Sequence, residues 1–183
     1  MLIILGGLPG SGKTTIARAL ARRLDAVYVR VDTIEQAIRS SGALKDDVGP
    51  AGYTVAYGIA EDNLALGRRV IVDSVNSLRI TREAWRSVAK KLGVSAAEVE
   101  IICSDKREHR ERVETRATDV AGLIKPTWQE VIARAYDDWQ THPIVIDTAS
   151  KDVDTAIAEL IARLKNLAEY TPGIPRENHG LVD

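Results

Sequence analysis

Short runs of consecutive apolar, mostly β-branched residues alternate along this chain with longer stretches in which apolar positions recur every three or four residues. Unbroken apolar runs suit strands buried on both faces, and the longer period suits helices that cover them. Five strands are predicted, at 2–5 (LIIL), 26–31 (AVYVRV), 69–73 (RVIVD), 99–103 (VEIIC) and 143–147 (PIVID). Helices are predicted near 13–24, 33–41, 51–67, 81–92, 105–117, 127–139 and 152–169, the last with Ile157, Leu160, Ile161 and Leu164 at helical spacing. Strand and helix in alternation define an α/β fold, a parallel sheet with helices on both faces. A single domain is expected over 1–169, with the proline- and glycine-bearing tail 170–183 outside its core.

The first apolar run leads straight into GLPGSGKT, Gly7 to Thr14, which satisfies G-x-x-x-x-G-K-[ST] between a predicted strand and a predicted helix. Such a loop turns successive backbone N–H groups inward around a phosphate, and the following helix adds its positive dipole end. Gly10, Ser11, Gly12, Lys13, Thr14 and Thr15 are therefore expected to bind a nucleotide, with Lys13 on the β and γ phosphates and Thr14 as a Mg²⁺ ligand. Asp73 leaves the third strand on the same sheet edge, where an acid steadies the metal, and its alternative is a cap for the SVNS turn. Asp32 leaves the second strand likewise. A hydroxyl that receives a phosphoryl group needs a proton acceptor, and Asp32 suits that role; its alternative is a cap for the helix from Thr33.

Composition narrows the field. With 25 Lys and Arg against 26 Asp and Glu, there is no basic surplus to hold a nucleic-acid backbone, so a small-molecule substrate is favoured and nucleic acid is not. The one cysteine, Cys103, has no internal disulfide partner, and the first residues carry no leader pattern, so a reduced cytoplasmic protein is expected. Charges interrupt every apolar run short of membrane-spanning length, and no membrane association is expected. The guanine-reading N-K-x-D pattern is absent, which disfavours a GTPase.

The phosphate loop, the strand-ending aspartate of VDTIEQAIR, the DSVN segment followed by Arg82 and the late CSD segment with its arginines together resemble the small P-loop kinases. That group includes chloramphenicol phosphotransferase, adenylylsulfate kinase and polynucleotide 5′-kinase, and the likeness spans residues 1 to about 165. It implies a P-loop NTPase fold with strand order 2-3-1-4-5, ATP and Mg²⁺ as cosubstrate and cofactor, and a short lid at about 105–127. It further implies transfer of the γ-phosphoryl group to a hydroxyl of a small molecule, with Asp32 as base. Arg116 would serve the transferring phosphate, with Arg112 or Arg110 over adenine or phosphate. Arg39, Asn76 and Arg82 are the remaining substrate candidates; Glu35 stands where two of these kinases place an arginine, and Arg39 lies one turn beyond it. Capping for Asn76 and Arg82, and a solvated charged helix for the lid arginines, are the local alternatives. His109 is expected at the surface, Tyr53 and Tyr57 in the core, and Cys103 buried. The rival readings are a polynucleotide or nucleotide-type kinase and a nucleotide-dependent switch.

Overall fold

The computed structural model describes residues 1–42, 47–118 and 120–169, so the tail 170–183 lies outside the described residues. In chain order the elements are β1 (Leu2–Gly6), α1 (Lys13–Leu24), β2 (Val27–Arg30), α2 (Val31–Ser41), α3 (Ala51–Ala65) and β3 (Val70–Asp73). There follow α4 (Arg79–Lys91), β4 (Ala96–Ile102), α5 (Lys106–Thr115), α6 (Trp128–Ile132), β5 (Ile144–Asp147) and α7 (Val153–Glu169). The strands form one parallel sheet in the order β2-β3-β1-β4-β5. Strand direction being common, every carboxyl end falls on one edge. The connections diverge to either side of β1 there, which opens the crevice in which such sheets bind ligands.

β1 is buried at all five positions, and alternation divides its side chains between two cores. Ile3 and Leu5 join Ile71, Val99, Ile101 and Ile146 beneath α1 and α7, which contribute Ile16, Leu20, Ile157 and Leu160. Leu2 and Ile4 join Val29, Val70 and Val72 beneath α3 and α4, which contribute Ala56, Ala60, Leu64 and Trp85. Small residues on α3 let that helix approach closely, and Trp85 fills the space left, wholly buried with Tyr57 edge-on at 4.3 Å. Cys103 is buried, as expected.

Several boundaries differ from expectation: β2 ends at Arg30 and α2 begins at Val31, so Asp32 stands in the first turn of α2 rather than at a strand end, and two further shifts have a clear physical cause. β4 begins three residues early, because Leu2 pairs in register with Ala96 and recruits the segment into the sheet. The helix expected over 127–139 stops at Ile132, although Thr127 and Glu130 close a reciprocal capping box at its start. Beyond it, Asp137 N–H donates to Ser77 O at 2.8 Å and the Asp137 carboxylate accepts from Arg79 N–H at 2.7 Å. Backbone groups committed to α4 cannot also form a helix ladder, so tertiary bonds override a helical period.

Candidate active site at the carboxyl edge of the sheet

The phosphate loop spans the gap between β1 and α1. Gly10 sits at φ 85°, and a Cβ there would stand 2.5 Å from Val113 Cγ2 of α5, so glycine is required both by conformation and by space. Gly12 caps α1 with no side-chain hydrogen bond, which leaves the first-turn N–H groups facing the loop's concavity for an anion. Lys13 is 7% exposed, and its Nζ lies 3.4 Å from Asp73 Oδ1. Asp73 also accepts from Tyr28 Oη at 2.7 Å. Burial first, then the Asp73 charge, push the Tyr28 phenol far up, so it stays a donor.

A cavity of about 450 Å³ opens beside this loop. Among the described residues six cations line it, Lys13, Arg18, Arg30, Arg112, Arg116 and Lys151, against one acid, Asp152. Thr14 and Thr15 also line it. Arg112 is fixed by bonds to Thr148 Oγ1 at 2.8 Å, Thr148 O at 3.0 Å and Glu108 at 2.5 Å. Thr148 in turn donates to Ser11 O at 2.8 Å, tying the loop after β5 to the phosphate loop. Arg116 follows the last residue of α5 rather than sharing its helical face with Arg112, yet both reach this cavity. Arg110 pairs at the surface with Glu114 and does not line it.

The second cavity, about 230 Å³, shares no lining residue with the first. Asp32 and Glu35 of α2 face Tyr53 of α3, with Ser77, Thr81 and Arg134 on the remaining walls. Gly52 makes room, since a Cβ there would stand 2.3 Å from Glu35 Cγ. Burial, with the Asp32 charge adding, holds the Glu35 carboxyl above its usual range, and Arg39 at 3.5 Å opposes this. Arg39 touches Glu35 but lines neither cavity.

Asn76 and Arg82, expected at the substrate, are instead buried in the scaffold. Asn76 is fully buried at φ 47°, where asparagine is tolerated; its Nδ2 donates to Leu5 O at 2.7 Å and its Oδ1 accepts from Trp85 Nε1 at 3.1 Å. It thus holds the end of β1 just ahead of the phosphate loop. Arg82, 1% exposed, donates to the carbonyls of Asn76, Ser77, Asp137 and Asp138 and stacks under Trp139 at 4.1 Å. Arg82→Ala is therefore expected to cost about 3–5 kcal/mol of stability, leaving buried carbonyls unmet, while ATP turnover per folded molecule stays near parental. Urea unfolding and active-site titration measure the two separately.

His109 corrects another expectation. It is 8% exposed, its Nε2 lies 2.9 Å from Pro9 O, and Trp128 meets its ring edge-on at 5.2 Å. With Val113 it forms the apolar seam by which α5 rests on the phosphate loop. Arg30 was not singled out by sequence reasoning; its signal is a lone cation that ends an apolar strand in phase with Tyr28.

The oxygen donors at Thr14 and Asp73 fit Mg²⁺ rather than a protein-caged metal. Thr14 offers a hydroxyl at the cavity wall, Asp73 a carboxylate behind Lys13, and no group of three His, Cys, Asp or Glu side chains suited to a metal occurs among the described residues. Mg²⁺ needs few protein ligands because phosphate oxygens and water complete its shell.

A parallel 2-3-1-4-5 sheet with this loop at its switch point defines a P-loop nucleotide-binding protein of the kinase type. Residues 2–136 match the family model described as an AAA domain, and the chain belongs to that family of P-loop kinases. A protein named putative adenylate kinase from Thermococcus onnurineus (strain NA1) is 23% identical over 181 residues, covering 95% of this chain and 89% of that one. Among solved structures, a gluconokinase from Sinorhizobium meliloti 1021 superposes with TM-score 0.63 at 22% identity, over 91% of this chain and 93% of its own. Mycobacterium tuberculosis APS kinase CysC, in complex with AMPPNP and APS, does so at TM-score 0.66 and 18% identity, over 90% and 96%. No described helix is long and apolar enough to cross a membrane.

Proposed function

We propose that this protein is an ATP-dependent phosphotransferase that moves the γ-phosphoryl group to a hydroxyl of a small molecule carrying no negative charge. The observation that carries this reading is the contrast between the cavities: six cations and one acid around the first, two carboxylates and one arginine around the second. A polyphosphate belongs in the former. An acceptor phosphate, such as the name of the Thermococcus relative suggests, would meet the Asp32 and Glu35 carboxylates, whose neighbouring cations Arg30 and Arg39 line other surfaces, with Arg134 as the cation on the cavity wall among the described residues. A hydroxyl or ammonium donor meets ready acceptors there. The carboxylate lining also weighs against a polynucleotide end, whose backbone needs a basic track.

In the reaction, the phosphate loop and Lys13 hold the β and γ phosphates while Arg112 and Arg116 neutralise them from the side of α5. Mg²⁺, held through Thr14 and Asp73, supplies charge neutralisation when bound. Asp32 accepts the acceptor's hydroxyl proton; that oxygen bonds the γ-phosphorus, the bond to the β–γ bridging oxygen breaks, and ADP leaves. Asp32 thereby argues against a nucleotide-dependent switch, which has no hydroxyl to deprotonate.

The test is a charge series on one carbon frame: glucosamine, glucose and gluconate, with AMP alongside, each with Mg·ATP. Transfer is expected to favour the amine and neutral members, and Glu35→Arg is expected to shift the gluconate-to-glucosamine rate ratio upward by roughly tenfold or more. Faster transfer to AMP or gluconate in the parent protein would sink the uncharged-acceptor reading.

A further inference from the structure

The two cavities lie on opposite sides of the sheet edge, and one side chain links them. Arg30 and Asp73 are partners in the parallel register of β2 and β3, so both project on the α1 side, where Arg30 lines the nucleotide cavity. Asp32 opens α2 and lines the acceptor cavity. From the nucleotide side, Arg30 Nη2 reaches back to within 3.6 Å of Asp32 Oδ2, while its Nε stands 3.9 Å from Asp73 Oδ2. The side chain is 7% exposed, and a guanidinium keeps its charge when buried. A fixed cation thus occupies the seam that a phosphoryl group must cross.

We propose that Arg30 is a catalytic cation for the transfer, an assignment that rests on the phosphotransfer reading above. As the bond to the leaving bridging oxygen breaks and the bond to the acceptor oxygen forms, charge spreads over the three equatorial oxygens of the group in flight. Lys13 stands on the leaving side of that group. Arg30 stands on the entering side, where it meets those oxygens and at the same time holds the Asp32 carboxylate beside the attacking hydroxyl. Burial and the ion pairs with Asp32 and Asp73, at 3.6 and 3.9 Å, hold the guanidinium in this seam before substrate arrives, which limits reorganisation at the moment of reaction. The sequence places this cation on a strand end rather than on the arginine-bearing segment around α5, so its placement does not depend on that segment's position.

The experiment needs no knowledge of the acceptor. Mg·ADP binding is measured by calorimetry with and without aluminium fluoride, whose complex imitates the phosphoryl group in flight, and slow ATP hydrolysis by water is followed in parallel. In the parent protein fluoride should tighten ADP. Arg30→Gln is expected to bind Mg·ADP alone within about threefold of parent, to lose at least about tenfold of the fluoride-dependent tightening, and to hydrolyse ATP roughly 10²–10³ more slowly. Arg30→Lys keeps the charge without the fork and should recover part of both. A melting temperature lowered in Arg30→Gln with tightening and hydrolysis intact would mark a merely structural ion pair and overturn the assignment. A parent protein that shows neither tightening nor hydrolysis overturns the phosphotransfer reading itself, and this one with it.

Discussion

On the phosphotransfer reading proposed above, Lys13→Ala is expected to weaken Mg·ATP binding markedly and to lower turnover by roughly 10³-fold, because it removes a nearly buried cation from the wall of the cavity assigned to the polyphosphate. The loss is compounded locally. Lys13 and the buried Asp73 stand 3.4 Å apart, so without the ammonium the carboxylate keeps only the Tyr28 hydrogen bond and the more distant Arg30, and its charge is less well offset. Calorimetry with Mg·ATP and an ATP-consumption assay read the two effects. Parental affinity and turnover in this variant would remove the phosphate-loop assignment.

The second large effect is expected at Asp32, where Asp32→Asn should leave Mg·ATP affinity almost unchanged and slow transfer by about 10²–10⁴-fold. Arg30 is the N-cap of α2 and Asp32 lies inside its first turn, where a carboxylate supports the helix dipole by only about 0.3–1 kcal/mol, so a residue with that role alone would leave the rate unchanged on substitution by asparagine. The side chain lines the acceptor cavity and no wall of the nucleotide cavity, which is why binding of nucleotide and chemistry should separate. Single-turnover transfer to an accepted member of the charge series decides the matter. A parental rate would take away both the base and the principal argument against a switch.

The sheet was legible because each strand is a short apolar run and each helix an amphipathic one, so the alternation of periods carries the architecture. The phosphate loop was legible because its geometry is local: glycines, a lysine and a threonine at fixed spacing between a strand and a helix. What escaped depends on residues far apart in sequence. Beyond Ile132, where α6 ends, Asp137 gives its N–H to Ser77 and Arg82 takes the carbonyls of Asp137 and Asp138, partners more than fifty residues away in sequence. His109 sits among charges and reads as solvated, yet with Val113 it forms the face of α5 that meets Pro9 and Gly10. Arg30 needs the register of β2 on β3 before its neighbours are known. Asn76 and Arg82 were placed in the right neighbourhood but one layer too near the surface.

Among the described residues the two cavities share no lining side chain, and Arg30 of the first stands 3.6 Å from Asp32 of the second. On the phosphotransfer reading, ATP and acceptor are assigned to separate cavities, so both are expected to be bound at once. No compulsory order of addition is then expected. Initial-rate plots at varied ATP and acceptor should intersect, the mark of a ternary complex reached by either route, with the phosphoryl group passing from oxygen to oxygen and never resting on the protein.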